Sequence, residues 1–367
     1  MPRRALDRPL RIAQVAPLYE SVPPTHYGGT ERVVAALCDE LVTDGHDVTL
    51  FAAGGSRTRA TLVRSTPRPL RTHMSKRELA EVAPHAHLRM LADVCRRAGE
   101  FDIIHAHTDL WTLPFVDLVE PPTVVTLHGR LDVEAAMQTY SWYSNVPLVS
   151  ISDHQRRPFA GTDVNWAATV YNGLPFDHYA GASGTPDYLA FVGRLTPEKG
   201  PERAIEIAHR AGLPLRVAAK VDPFDEEFFY GTIEPLFRKH RVDFVGEIDE
   251  DSKPDFFAGA VATLMPGDWP EPFGLVMIES LAAGTPVVAL RRGSVPEVIE
   301  DGVSGFVCDD VTSMVESVGS IGTLSRERCR QRAAAFSASV MAERYLAVYE
   351  SIIEERALLT AGAPGPS

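Results

Sequence analysis

Two glutamates bracket the run PEPFGLVMIES: Glu271 in a Pro- and Gly-rich approach, and Glu279 in a stretch with no other ionisable residue. A carboxylate in apolar surroundings is costly unless something pairs with it. Pro272 restricts Glu271 to an extended backbone, so its side chain projects from a loop. Gly274 admits a close ligand, and Glu279 falls on the helix that follows. Glu279 there needs hydroxyl or amide donors. A sugar or a ribose presents such hydroxyls; an internal cap on a neighbouring loop is the alternative.

Two other loops carry groups suited to an anion. VGRLTPEKG places Arg194 and Lys199 ahead of Pro201, a residue suited to start a helix. A guanidinium fork and a lysine point charge can clamp a phosphate there, or stand solvated on the loop. YGGTERVV offers Gly28 and Gly29, whose bare backbones a ligand can approach, with Thr30 as the expected cap of the next helix. Free N–H groups at a helix start suit a diphosphate. The run matches neither GxGxxG nor GxxxxGKS/T, so a plain tight turn stays open.

Three features have weaker chemical readings. His105 and His107 in DIIHAH share a strand face and are of metal-ligating type, but no Cys or acidic partner set accompanies them. Acceptor-side or structural roles are expected. Asp249-Glu250-Asp251 has the DxD form of metal-dependent transferases, yet sits in a polar run and reads as a solvated loop. Residues 56–97 gather Arg57, Arg64, Arg71, Lys76, Arg77, Arg89, Arg96 and Arg97. The first reading is a solvated helix face; the second is a dock for an anionic acceptor or a peripheral membrane contact.

These residues need elements to hold them. Near-continuous apolar runs at 10–17, 47–52, 102–107, 122–129 and 147–152, then at 188–193, 215–220, 242–247, 262–266, 285–290 and 305–308, read as parallel strands covered on both faces. Amphipathic helices fall between them, which indicates an open α/β sheet in each half. Both halves open with the same strand–loop–helix–strand unit, so two Rossmann-like domains are expected, divided in the Gly- and Pro-rich stretch 171–187. The expected boundaries are 1–175, 176–338, a C-terminal helix 339–358 crossing back to the N-terminal domain, and a disordered tail 359–367. Ligands in such folds bind beyond the carboxyl ends of the strands, where the loops above lie.

Composition narrows the class. The 367 residues exceed one ordinary core, and 45% hydrophobic with 23% charged residues is a soluble globular balance. A net charge of −13 argues against nucleic acid as a partner. Four scattered cysteines read as reduced thiols of a cytosolic enzyme. The basic N-terminus lacks an apolar run of signal-peptide length, and no stretch reaches 18 apolar residues. A cytoplasmic location, in part peripheral to a membrane, is expected.

The stretches GGTERVV, TLHG, VGRLTPEKG and EPFGLVMIESLAAGTPVVAL, followed by GSVPEVIEDGVSGF, resemble the family 4 retaining glycosyltransferases of GT-B architecture. The likeness runs from residue 10 to about 355. It implies two Rossmann-like domains with parallel sheets facing a central cleft. It also implies transfer of a hexose-type sugar from a UDP- or GDP-sugar substrate, with retention and with no metal or other cofactor. By that resemblance Arg194 and Lys199 bind the donor diphosphate, with Gly28 and Gly29 lending amides. Glu271 accepts from donor-sugar hydroxyls, and Glu279 holds the ribose. Phe273, Gly274 and Leu275 join the donor site, the first two through main-chain contacts near the sugar. His128 of TLHG stands at the reacting sugar, and Gly246, Glu247 and Ile248 lie near the base. The acceptor is open among glycan, lipid and small molecule. Two departures, Lys220-Val221-Asp222-Pro223 and Arg291-Arg292-Gly293, bear on donor-sugar identity. The rival readings are a nucleotide-sugar epimerase of the same architecture and a nucleotide-sugar-binding protein without turnover.

Overall fold

The computed structural model describes residues 8–25, 28–221 and 225–362. The chain divides into two compact units: one holds the chain up to Leu174 and again from Ala338, the other Pro175–Ser337.

The first unit is built on β1 (Arg11–Val15), α1 (Gly29–Thr43), β2 (Asp47–Ala53), β3 (Thr61–Thr66), α2 (Lys76–Arg96), β4 (Ile103–Ala106), β5 (Thr123–Leu127), α3 (Glu134–Trp142), β6 (Leu148–Ser150) and β7 (Trp166–Thr169). Its sheet runs β3-β2-β1-β4-β5-β6-β7, with parallel pairing throughout. Strand order reverses between β1 and β4, and such a switch point opens a crevice at the carboxyl ends. The central strands are buried along almost their whole length, as their apolar runs require. β3 and β7 escaped the sequence reading for a physical reason. They are the two edges of the sheet, and their residues are mostly half-exposed, so neither needs an apolar run.

The second unit repeats the plan with β8 (Tyr188–Arg194), α4 (Pro201–Ala211), β9 (Leu215–Lys220), β10 (Asp243–Gly246), α5 (Lys253–Ala258), β11 (Ala260–Met265), α6 (Leu275–Ala282), β12 (Val287–Leu290) and β13 (Gly305–Cys308). The order is β10-β9-β8-β11-β12-β13, again parallel. Its switch point lies between β8 and β11.

The terminal helix α7 (Ala338–Gly362) belongs to the first unit. Met341, Tyr345, Val348 and Ile352 are its buried stripe. It runs past the expected end at 358: EERALLTA contains strong helix formers and no breaker. Residues 359–362 are therefore helical rather than disordered, and the rest of the expected tail, 363–367, lies outside the described residues.

The cation-rich stretch 56–97 becomes β3 and α2, the latter opened by a capping box between Ser75 and Glu78. Its charges are interleaved with acids: Arg71 pairs with Glu20, Arg77 with Glu81, Arg96 with Asp93 and Arg97 with Glu100. Among the described residues no helix is long and apolar enough to cross a membrane.

Candidate active site

In the second unit, the loops after β8 and β11 bring three of the chemistry-bearing residues together. Arg194 ends β8, and Gly200, in a left-handed conformation at φ 69°, turns the chain into α4 at Pro201. Arg194 Nη2 donates to Glu198 Oε1 at 3.0 Å, while its buried Nε has no partner among the described residues. Lys199 Nζ donates to Glu271 Oε2 across the switch point and lies 4.4 Å from the centre of the Trp269 ring. The pair is enclosed enough to be held and open enough to be reached, at 19% and 12% side-chain exposure.

The backbone of Glu271 is set by a neighbour that sequence reading noted only as a departure. Gly293 has φ 57°, and a Cβ there would stand 2.2 Å from Glu271 O and 2.3 Å from Glu271 N. Only glycine permits that approach. Ser294 completes the clamp, its N–H donating to Glu271 O and its Oγ to Phe273 O at 2.7 Å. Gly274, at φ 81°, then caps α6, which begins at Leu275.

Glu279 lies in α6 with 1% exposure. Its Oε1 accepts from Lys253 Nζ at 3.0 Å and from Tyr179 Oη at 3.3 Å. Lys253, the first residue of α5, also donates to Glu250. Thus each glutamate of the bracketing pair meets a protein lysine, where the sequence reading looked to a ligand's hydroxyls for the partner. Nothing local in the sequence signals these pairs, because they join residues 72 and 26 positions apart. Gly246, at φ 75°, ends β10 and leads to exposed Glu247 and half-buried Ile248. In the former DxD run, Asp249 accepts from the backbone of Ser252 and Glu250 from Lys253, the economy of a turn. Of the departures, Arg291 pairs with Asp309 and Arg292 with Asp268, whereas Asp222 and Pro223 lie outside the described residues.

In the first unit, the carboxyl ends of β4 and β5 gather three histidines. His107 Nδ1 is 2.8 Å from His128 Nε2, and His107 Nε2 is 2.9 Å from Gln14 Oε1. His105 is bonded to Tyr349 and Thr126. Burial holds all three rings neutral: His105 and His107 well below the usual histidine range, His128 down to about 4. Asp109, missed by sequence reasoning, accepts from the backbone N–H of His128 at 3.4 Å. It occupies φ 46°, and burial pushes its carboxyl up to about 7. Among the described residues no group of three or more His, Cys, Asp or Glu side chains is arranged to hold a metal.

Gly28 is the N-cap of α1 and Gly29 its first residue, so Thr30 lies inside the helix rather than capping it. A Cβ on Gly28 would meet Pro24 at 2.8 Å and Glu31 Oε2 at 3.1 Å. The carboxylate of Glu31 therefore sits at the very helix start that the glycines were expected to offer an anion. Its burial pushes it up to about 7.

Comparison with known proteins gives two matches in tandem. Residues 27–169 match the model of Glycosyltransferase Family 4, and residues 178–336 match that of Glycosyl transferases group 1. An uncharacterized glycosyltransferase of Methanocaldococcus jannaschii is 26% identical over 350 residues, covering 81% of this chain and 84% of its own. The phosphatidyl-myo-inositol mannosyltransferase of Mycobacterium tuberculosis is 24% identical over 381 residues, covering 94% and 97%. Among solved structures, Anabaena HepE in complex with UDP and glucose superposes with a TM-score of 0.71 at 20% identity, over 93% of this chain and all of that one.

Proposed function

Because the chain belongs to the GT4-type glycosyltransferases, we propose that it moves a hexose-type sugar from a UDP- or GDP-sugar to a glycan, lipid or small-molecule acceptor. Transfer proceeds with retention at the anomeric carbon and without an essential metal. The observation that carries this reading is the convergence of Arg194, Lys199 and Glu271 at the switch point of β8 and β11. A nucleoside diphosphate is a good leaving group and needs its developing charge stabilised, which two fixed cations do. A sugar passing through an oxocarbenium-like state needs its hydroxyls held, which suits a carboxylate.

On donor arrival the Lys199–Glu271 bond opens, the ammonium turning to phosphate and the carboxylate to sugar hydroxyls. Glu279, its charge balanced by Lys253, takes the ribose. Phe273, Gly274 and Leu275 border the sugar through the main chain, and Gly246, Glu247 and Ile248 border the base. Gly28 and Gly29 lend amides once Glu31 is protonated. His128 stands at the reacting sugar. Attack occurs on the face the leaving phosphate departs from, so no protein nucleophile is assigned. The complex of HepE with UDP and glucose supports a uridine donor.

Incubation with UDP-, GDP- and ADP-sugars, followed for nucleoside diphosphate release, tests the proposal. Release that depends on an added acceptor supports it; sugar isomerisation without release sinks it. Glu271→Ala is expected to lower turnover by about 100-fold or more while nucleotide affinity changes little. A collapse of nucleotide affinity would refute the role given to Glu271.

A further inference from the structure

A single file of hydrogen bonds runs from the terminal helix to His128. Tyr345 Oη lies 3.0 Å from Thr126 Oγ1, and Thr126 Oγ1 lies 2.7 Å from His105 Nε2. His105 Nδ1 is 2.6 Å from Tyr349 Oη, to which Gln14 Nε2 also donates at 3.0 Å. Gln14 Oε1 faces His107 Nε2, and His107 Nδ1 faces His128 Nε2. Every member except His128 is fully enclosed.

These contacts assign the protons. Gln14 gives its N–H to Tyr349, so its carbonyl faces His107 and His107 Nε2 must carry hydrogen. A neutral imidazole carries one ring hydrogen, so His107 Nδ1 is an acceptor. His128 Nε2 must then be the donor. In the other direction Tyr349 gives its O–H to His105 Nδ1, and His105 Nε2–H goes to Thr126. Tyr345 is the loose end: either it or Thr126 can donate in the hydrogen bond they share, so it does not set the sense of the file.

We propose that Gln14 and Tyr349 are positioning residues for His128, holding its ring with hydrogen on Nε2 and leaving Nδ1 as a lone-pair acceptor for a sugar hydroxyl. Nδ1 has no partner among the described residues, and it is the ring atom left to a ligand. The last helix of the chain thus dictates the hydrogen-bonding sense of a loop that follows β5. The inference rests on the reading of His128 given above only for the identity of the hydroxyl.

Long-range nitrogen–proton NMR of the imidazole rings, on the full chain labelled at histidine and assigned by single substitutions, reads the tautomers directly. His105, His107 and His128 are all expected as single Nε2–H forms. Tyr349→Phe keeps the ring and removes the hydroxyl, so Gln14 loses its fixed sense and His107 and His128 become tautomer mixtures. Tyr345→Phe, on the same helix but at the loose end, leaves both unchanged. Should Y349F fail to fold, Gln14→Met breaks the same file and is expected to mix the His128 tautomers. Nδ1–H on His128 in the unaltered protein overturns the proposal. So does an unchanged His128 in Y349F, or in Q14M where that variant stands in, and so does a Y345F spectrum as disturbed as that of Y349F. A correct tautomer pattern with acceptor-dependent release unaffected by His128→Ala would instead refute the catalytic reading and leave this inference standing.

Discussion

Glu279 and Lys253 form a contact whose energetics are lopsided. An enclosed ion pair adds little over a well-packed apolar pair, but removing one partner strands the other charge. Lys253→Met is therefore expected to cost about 3 kcal/mol of stability, read from the urea midpoint, and Glu279→Gln combined with it should recover part of the loss. A K253M loss under ~1 kcal/mol would mean that Tyr179 and solvent carry the charge of Glu279 instead. At this scale the sequence shows which residues are chemically apt but not what they touch. Lys199 and Glu271 were both singled out, yet on separate loops and for separate parts of a ligand; Lys253 passed as the end of a polar run. Pairing through space leaves no pattern along the chain, and Gln14, buried in an apolar strand, gives no outward sign of the amide's use.

Elements were far more readable than contacts, because burial on both sheet faces imposes an apolar run that any central strand must show. The runs at 10–17 and 188–193 coincide with β1 and β8, on which both switch points depend. An edge is under no such obligation: β3 and β7 show no run and were invisible, whereas β10 and β13, the edges of the second sheet, still carry the runs at 242–247 and 305–308. The turn after β12 belongs to the same scale. Gly293 meets the backbone of Glu271, not a side chain that could swing away, so Gly293→Ala must displace one segment or the other. The expected result is a loss of about 2 kcal/mol or more in stability. A weakened response to Glu271→Ala should accompany it, since Glu271 would no longer be in place. Thermal melting and nucleotide-release rates measured on the single and double variants check both; unchanged melting would show that the turn relaxes without cost.

Over the whole molecule, titrating groups of opposite habit bound the pH range of stability. His128 is held neutral, with its value depressed to about 4, so the stability it contributes is lost as pH falls from the usual histidine range through 4. Glu31, raised from 4.5 to about 7, works the other way: its contribution is complete below pH 4.5 and is lost as pH rises through 7. Glu31→Gln is thus expected to stabilise the protein at pH 8 by up to about 3 kcal/mol and to change little at pH 4. Melting at the two pH values decides it, and an equal effect at both would show that packing rather than charge is responsible. The first unit is also discontinuous in sequence: the chain leaves it at Leu174 and returns at Ala338, whose N–H donates to Leu174 O at 3.0 Å. During synthesis the strands bearing Gln14, His105 and Thr126 emerge early, while Tyr345 and Tyr349 come last. At about 5–20 residues per second, residues 175–337 keep those polar groups waiting roughly 10–30 s for their partners. A nascent chain cut short before α7 would carry all three histidines and no means of ordering them, so His128 acquires its set proton only after α7 has been made.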